Sequence, residues 1–231
     1  MRKRIWELDA LRGACILSMV VIHLIYDLAI PTGAGFAFVQ NWGGVIFLVL
    51  SGICVTLGSH PIRRGLIVFG CGLLCTAVTA GMYALHLSDE SLIIWFGVLH
   101  CLGCCMLLWP VFRKCPVWLL AVFGIGFAAL GLYCSSHVRV AFPWLIPLGL
   151  FTSTFASSDY FPLLPNLGFF LLGAAVGLTL YRSKKTLLPQ VDPAVLPLRF
   201  LCGCGRHSLF IYLAHQPVIT GVLMLLSLWQ P

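Results

Sequence analysis

Charge is what this sequence has least of. Only 9% of its 231 residues are Asp, Glu, Lys or Arg, while 60% are hydrophobic and the mean hydropathy is +1.01. Soluble domains carry about 25% charged residues, so that class is excluded. A regular cysteine framework is also missing. The eleven cysteines are odd in number, and Cys15, Cys54, Cys71, Cys75, Cys101, Cys104 and Cys105 sit inside apolar runs. That argues against a disulfide scaffold and suits thiols used as small hydrophobes. The Cys101/Cys104 spacing and the Cys202/Cys204 pair leave a redox or zinc site as the alternative. No internal repeat, low-complexity tract or second domain is apparent, so a single domain over 1–231 is expected. Arg2, Lys3 and Arg4 could open a signal peptide. No clean small-residue cleavage site follows, so the first helix is expected to be retained.

What is present is a series of apolar runs long enough to cross a bilayer as helices. They fall at 12–29, 41–58, 66–86, 92–112, 117–134, 160–181 and 207–228. The expectation is an all-α, polytopic bundle of about seven transmembrane helices in a cell (inner) membrane. With the N-terminus cytoplasmic, every basic residue except Arg139 lies on the inner side, as the positive-inside bias requires. The net charge of +7 thus reports topology and not a nucleic-acid footprint. The segment 141–156 is short and carries Pro143 and Pro147. It is expected to be re-entrant or interfacial on the outer face, since proline breaks helices and irregular backbone needs protein or water around it. The basic connection 182–206, with Pro189, Pro193 and Pro197, reads as a solvated cytoplasmic linker.

The first run carries ionisable residues where lipid is expected. On a helical wheel Asp9, Arg12, His23 and Asp27 fall within an arc of roughly 60°, with Glu7 on the other side. Such a stripe is a buried polar seam, and ionisable groups at that depth point to function. His23 lies ~15 Å into its span, near the midplane. His100 and His215 come to a similar level on two other spans. Asp27, one turn beyond His23, suits a carboxylate that orients the imidazole. His100 fits equally well as a core histidine bonded to a backbone carbonyl or a water.

Two further groups flank this level. Asp9 and Arg12 stand at the mouth of the first span, and Gly205-Arg206-His207-Ser208 opens the last, with Ser208 a candidate helix cap. An arginine beside free helix N–H groups suits a phosphate-bearing ligand, though Arg12 and Arg206 also suit anchoring to lipid phosphates. Pro217 frees the Leu213 carbonyl beside His215. On the outer side, Asp159 and Tyr160 suit the amine or hydroxyls of an acceptor, or equally a helix-initiating turn. Asn41 is a weaker outer candidate, and Trp42, Trp95 and Trp144 suit the interfacial belt.

The motifs E-L-D-A-L-R-G with H-L-I-Y-D, F-G-V-L-H-C-L-G, D-Y-F-P-L-L-P and G-R-H-S-L-F-I-Y-L-A-H-Q-P occur in that order along essentially the whole chain. Together they resemble the heparan-α-glucosaminide N-acetyltransferase catalytic-domain family in its short bacterial form. The Leu-Asp-x-x-Arg-Gly…His start is similar to that of other integral-membrane sugar acyltransferases. The resemblance implies transfer of an acetyl group from cytosolic acetyl-CoA to a sugar or glycoconjugate on the far side, with His23 matching the family's catalytic histidine. Under it, Asp9, Arg12, Arg206 and Ser208 would hold the donor, with Asp27, His215 and His100 assisting and Asp159, Tyr160 and Asn41 facing the acceptor. No metal and no nucleic acid is expected, and a homodimer stays open. The competing reading is a proton-coupled transporter using His23 and Asp27 as a relay. Such transporters usually show inverted repeats or paired broken helices, which this sequence lacks.

Overall fold

A computed structural model describes residues 4–28, 33–153, 155–157 and 159–228, with the side chains at 34, 41, 227 and 228 left aside. Among these residues there are eight α-helices and no strand. They are α1 (Trp6–Asp27), α2 (Ala34–Leu57), α3 (Pro61–Ala84), α4 (Val98–Phe112), α5 (Val117–His137), α6 (Leu163–Leu180), α7 (Leu196–Arg206) and α8 (Ser208–Leu228). Six are long and apolar enough to cross a membrane, and α4 is a shorter apolar helix. Their outer faces carry many large apolar side chains, Phe210, Leu225 and Trp118 among them, which suits helices whose solvent is lipid. The chain is a multi-pass membrane protein.

Two compact units result, Met1–Leu50 with Ser183–Pro231, and Ser51–Arg182. In the first, α1 starts with Glu7 and Asp9 in its first turn, where the helix dipole favours acids. It packs on α7 by direct backbone contact. A Cβ at Gly13 would lie 2.0 Å from the Leu201 carbonyl oxygen, and one at Gly205 would lie 1.8 Å from that of Asp9. This overturns part of the linker expectation for 182–206, because its second half is the helix α7, held against α1. Pro197 does not prevent the helix, since it lies in the first turn where its missing N–H costs no bond. The first half is also tied down. Glu7 is buried and accepts hydrogen bonds from Thr186 Oγ1 and the Leu187 N–H, both at 2.8 Å.

The direction of α8 follows from its bonds to α1. Arg12 meets Ser208, His23 meets His215 and Asp27 meets Gln216, so position rises together on both helices and they run parallel. In a membrane, parallel first and last spans require an odd number of crossings. The six long helices alone would make α8 antiparallel to α1; counting α4 gives seven. At 15 residues α4 covers only about 22 Å. The non-helical residues 93–97, which bend at Trp95, lead into it and lengthen the crossing toward the core of about 30 Å. Continuous helix over 92–112 is therefore replaced by irregular chain at 93–97 followed by helix.

In the second unit, small residues again bring backbones together. A Cβ at Gly168 of α6 would stand 2.5 Å from both the Ala128 nitrogen and the Gly124 oxygen of α5, the close packing membrane helices use in place of a hydrophobic drive. Segment 141–156 contains a 3-10 turn at Pro143–Leu148. Six residues at about 2 Å each reach only ~12 Å, so it does not span. Pro110 and Pro217 lie inside α4 and α8, which continue through them.

Candidate functional site

The polar stripe of α1 is matched residue by residue within its own unit. Asp9 Oδ2 accepts from Arg206 Nε at 3.2 Å and lies 3.8 Å from Arg4 Nη1. Arg12 Nη2 donates to Ser208 Oγ at 3.0 Å, while Arg12 Nε is buried without a partner. The His23 and His215 rings meet edge to face, with centroids 4.9 Å apart. Asp27 is exposed and accepts from Gln216 Nε2 at 3.0 Å. Asp9, Arg12, Arg206 and Ser208 are thus brought together, and so are His23, His215 and Asp27. Ser208 begins α8 and lends its hydroxyl to Arg12, while the backbone carbonyl capping that turn belongs to His207. Asp27 accepts its hydrogen bond from an amide on α8.

The acceptor of His215 decides its tautomer. Its Nδ1 bonds the Tyr212 carbonyl oxygen, which can only accept. Nδ1 therefore carries the proton, and in the neutral ring Nε2 presents the lone pair. On α8 the residues Ser208, Tyr212 and His215 share an arc of about 60° and Gln216 lies beside it. A wheel of the last span would have shown this second stripe and found Gln216. Neither Glu7 nor the glycine pair carried a comparable signal.

His100 has a different environment in the second unit. The Gly97 N–H donates to His100 Nδ1 at 3.2 Å, so Nε2 bears the proton and faces Thr76 Oγ1 at 3.3 Å. Thr76 in turn donates to the Ile94 carbonyl at 2.6 Å. Phe69 and Phe96 pack against the ring. One nitrogen of this buried imidazole holds the start of α4 and the other ties it to α3.

Asp159 and Tyr160 belong to the same knot. Asp159 Oδ2 accepts from the Val98 N–H at 3.2 Å, capping α4 and not the helix that follows it in sequence. The Tyr160 hydroxyl donates to the Ile146 carbonyl at 2.7 Å, and Phe161 N–H to the Phe96 carbonyl at 2.9 Å. Burial pushes the Tyr160 phenol up to about 12. Buried Asn166 adds a bond to the Pro162 carbonyl at 2.8 Å. The Asn41 side chain lies outside the described residues.

The eleven cysteines are all free. Cys202 is buried and donates to the Trp6 carbonyl at 3.4 Å, and burial pushes its thiol up. Among the described residues no three His, Cys, Asp or Glu side chains converge to hold a metal ion. A cavity of about 700 Å³ in the second unit, at the start of α3 and the end of α4, touches none of the residues selected above.

Fold and seam together define a class: a polytopic membrane helix bundle with paired imidazoles on a polar helix face and arginines at one end of it. The sequence model of the family described as heparan-alpha-glucosaminide N-acetyltransferase, catalytic, matches residues 4–217. The chain belongs to this family, which makes it a transmembrane acetyltransferase. No curated protein and no solved structure matches it.

Proposed function

We propose that the protein moves an acetyl group from cytosolic acetyl-CoA to an amine or hydroxyl of a sugar or glycoconjugate on the opposite side of the cell membrane. The reading is carried by the His23–His215 pair, 4.9 Å apart on the seam between α1 and α8. The distribution of basic residues supports an N-terminus on the cytoplasmic side, where Arg12 and Arg206 would meet the donor's phosphates. The spare, buried Nε–H of Arg12 fits that task, because a phosphate oxygen would satisfy it. From Arg12 to His23 is about 16 Å along the helix, a path for the pantetheine arm.

His23 acts as general base. It takes the proton of the acceptor amine or hydroxyl as the new C–N or C–O bond forms at the thioester carbon. The C–S bond breaks, and the CoA sulfur leaves with that proton. In the two-step variant the imidazole first takes the acetyl group, releasing the thiol, and then passes it to the acceptor. His215, held as its Nδ1–H tautomer, shares proton handling with His23. Asp27 stands one helical turn beyond His23, and Gln216 holds it in place. His100 acts as a positioning residue through α4, and Asp159, Tyr160 and Asn41 belong to the acceptor side.

The test is reconstitution in liposomes with labelled acetyl-CoA on one side and a panel of sugars on the other. Wild-type protein releases thiol and labels an acceptor, and His23→Ala abolishes both. Full thiol release by His23→Ala overturns the assignment.

A further inference from the structure

The second unit carries an uncompensated basic basin. His60, Arg63, Leu66, Pro110, Arg113 and Lys114 line its cavity of about 700 Å³. Arg63, Arg113 and Lys114 are exposed, and among the described residues none of the three makes an ion pair or a side-chain hydrogen bond. The unit's acids, Asp89, Glu90 and Asp159, lie elsewhere: two follow the far end of α3, and the third caps the far end of α4. Three cations converge with no counter-charge within reach along either helix.

The backbone adds to this. His60 takes a left-handed conformation (φ 61°, ψ 54°) at the N-cap of α3 and gives no side-chain cap, a strained choice for a residue with a Cβ. Pro61 follows in the first turn, so the next N–H groups of α3 point out of the helix end without side-chain acceptors. The partial positive charge of the helix end adds to that of the arginines. Exposed Ile62, Leu66 and Val111 stand beside the cations. The basin thus sits where the apolar helix α3 begins and the apolar helix α4 ends.

We propose that this basin binds the phosphate of an anionic membrane phospholipid, the cations taking the headgroup while Ile62, Leu66 and Val111 meet its acyl chains. The shared chemistry is a phosphate oxygen, and a soluble phosphate such as that of a CoA donor is the other source the experiment must separate.

The probes are phosphatidylglycerol and phosphatidylcholine vesicles, inorganic phosphate and CoA. Full-length protein is purified in detergent. Retained lipid is read by native mass spectrometry and thermal stability by intrinsic fluorescence. Wild type should retain phosphatidylglycerol over phosphatidylcholine and be stabilised by it. Each cation removed should lower that preference about fivefold, and Arg63→Gln with Arg113→Gln and Lys114→Gln together by on the order of 100-fold. Lys185→Gln with Arg199→Gln, exposed cations of the first unit, should leave it unchanged. Should the triple variant fold poorly, the three single variants carry the same reading. Undiminished phosphatidylglycerol retention in the variants overturns the site. Loss of CoA or inorganic phosphate binding with lipid retention intact overturns the lipid and assigns the soluble phosphate.

Discussion

The contact between α1 and α7 can be tested with a single methyl group. Gly205→Ala would place a carbon 1.8 Å from the Asp9 carbonyl oxygen and 2.7 Å from its carbonyl carbon. Carbon–oxygen contacts settle at about 3.3 Å or more, so the shortfall is about 1.5 Å. Both obstructing atoms are helix backbone and cannot rotate away, so the helices must separate. The Arg206–Asp9 bond, already 3.2 Å long, would pass the limit of about 3.5 Å at which a hydrogen bond survives. Overpacking of this kind costs about 1–3 kcal/mol, which at about 2–4 °C per kcal/mol for a chain of this size lowers Tm by about 2–12 °C.

Gly203 provides the control within the same helix. A Cβ there meets nothing within 4 Å, and replacing a helical glycine by alanine gains about 0.5–1 kcal/mol. Gly203→Ala should therefore raise Tm by about 1–4 °C. Unfolding followed by intrinsic fluorescence in detergent separates the two variants, and acetyl-CoA-dependent thiol release reports the seam. Gly205→Ala should also lose at least tenfold in kcat/KM for acetyl-CoA, with Gly203→Ala unchanged. A Gly205→Ala protein as stable as Gly203→Ala would refute the packing argument.

Other perturbations separate structural from chemical roles. Asp159→Ala removes the α4 cap and should cost about 0.5–2 kcal/mol. Asp159→Asn keeps an acceptor oxygen; unchanged acceptor KM in a stable Asp159→Asn protein would refute an acceptor role for the charge. The Tyr160 phenol, raised from 10 to about 12, contributes stability that is present below pH 10 and lost as pH rises through about 12. Tyr160→Phe should remove a late-titrating component from the phenolate absorbance. Glu7→Ala leaves the Leu187 N–H and Thr186 hydroxyl without their acceptor. Limited proteolysis should then cut 183–195 faster, and an unchanged rate would show that Glu7 does not hold the segment.

Periodicity made the seam of α1 legible because charge is rare in this chain and four ionisable residues at helical spacing stand out against it. Nothing comparable marked α7. Its proline and arginines matched a solvated linker, and the decisive fact, two glycines allowing backbone contact, depends on which helix lies opposite. Similar limits applied to the other motifs. D-Y-F-P and F-G-V-L-H were visible as polar points in apolar sequence. That Asp159 caps a helix 61 residues upstream, and that His100 spends both nitrogens on Gly97 and Thr76, are tertiary facts. Hydropathy located α4 but not its first turn, because extended and helical apolar chain look alike over a few residues.

Parallel running of α1 and α8 gives the seam a polarity that bears on the direction of transfer. Both N-termini lie at the end of Arg4, Arg12 and Arg206, and both C-terminal halves run toward Asp27. The dipoles of parallel helices add, favouring anions at the first end and cations at the second. An anionic thioester therefore suits the arginine end, and an amine acceptor suits the Asp27 end, with the imidazoles between. Arg12→Gln should raise KM for acetyl-CoA about tenfold or more, as expected for a lost charge-assisted bond, with little change in acceptor KM. Asp27→Asn should do the reverse for an amine acceptor and much less for a hydroxyl one. Initial-rate kinetics with each substrate varied in turn distinguish the cases. If Arg12→Gln and Asp27→Asn both shift the same KM, the two ends of the seam do not divide donor from acceptor, and the transmembrane order proposed here fails.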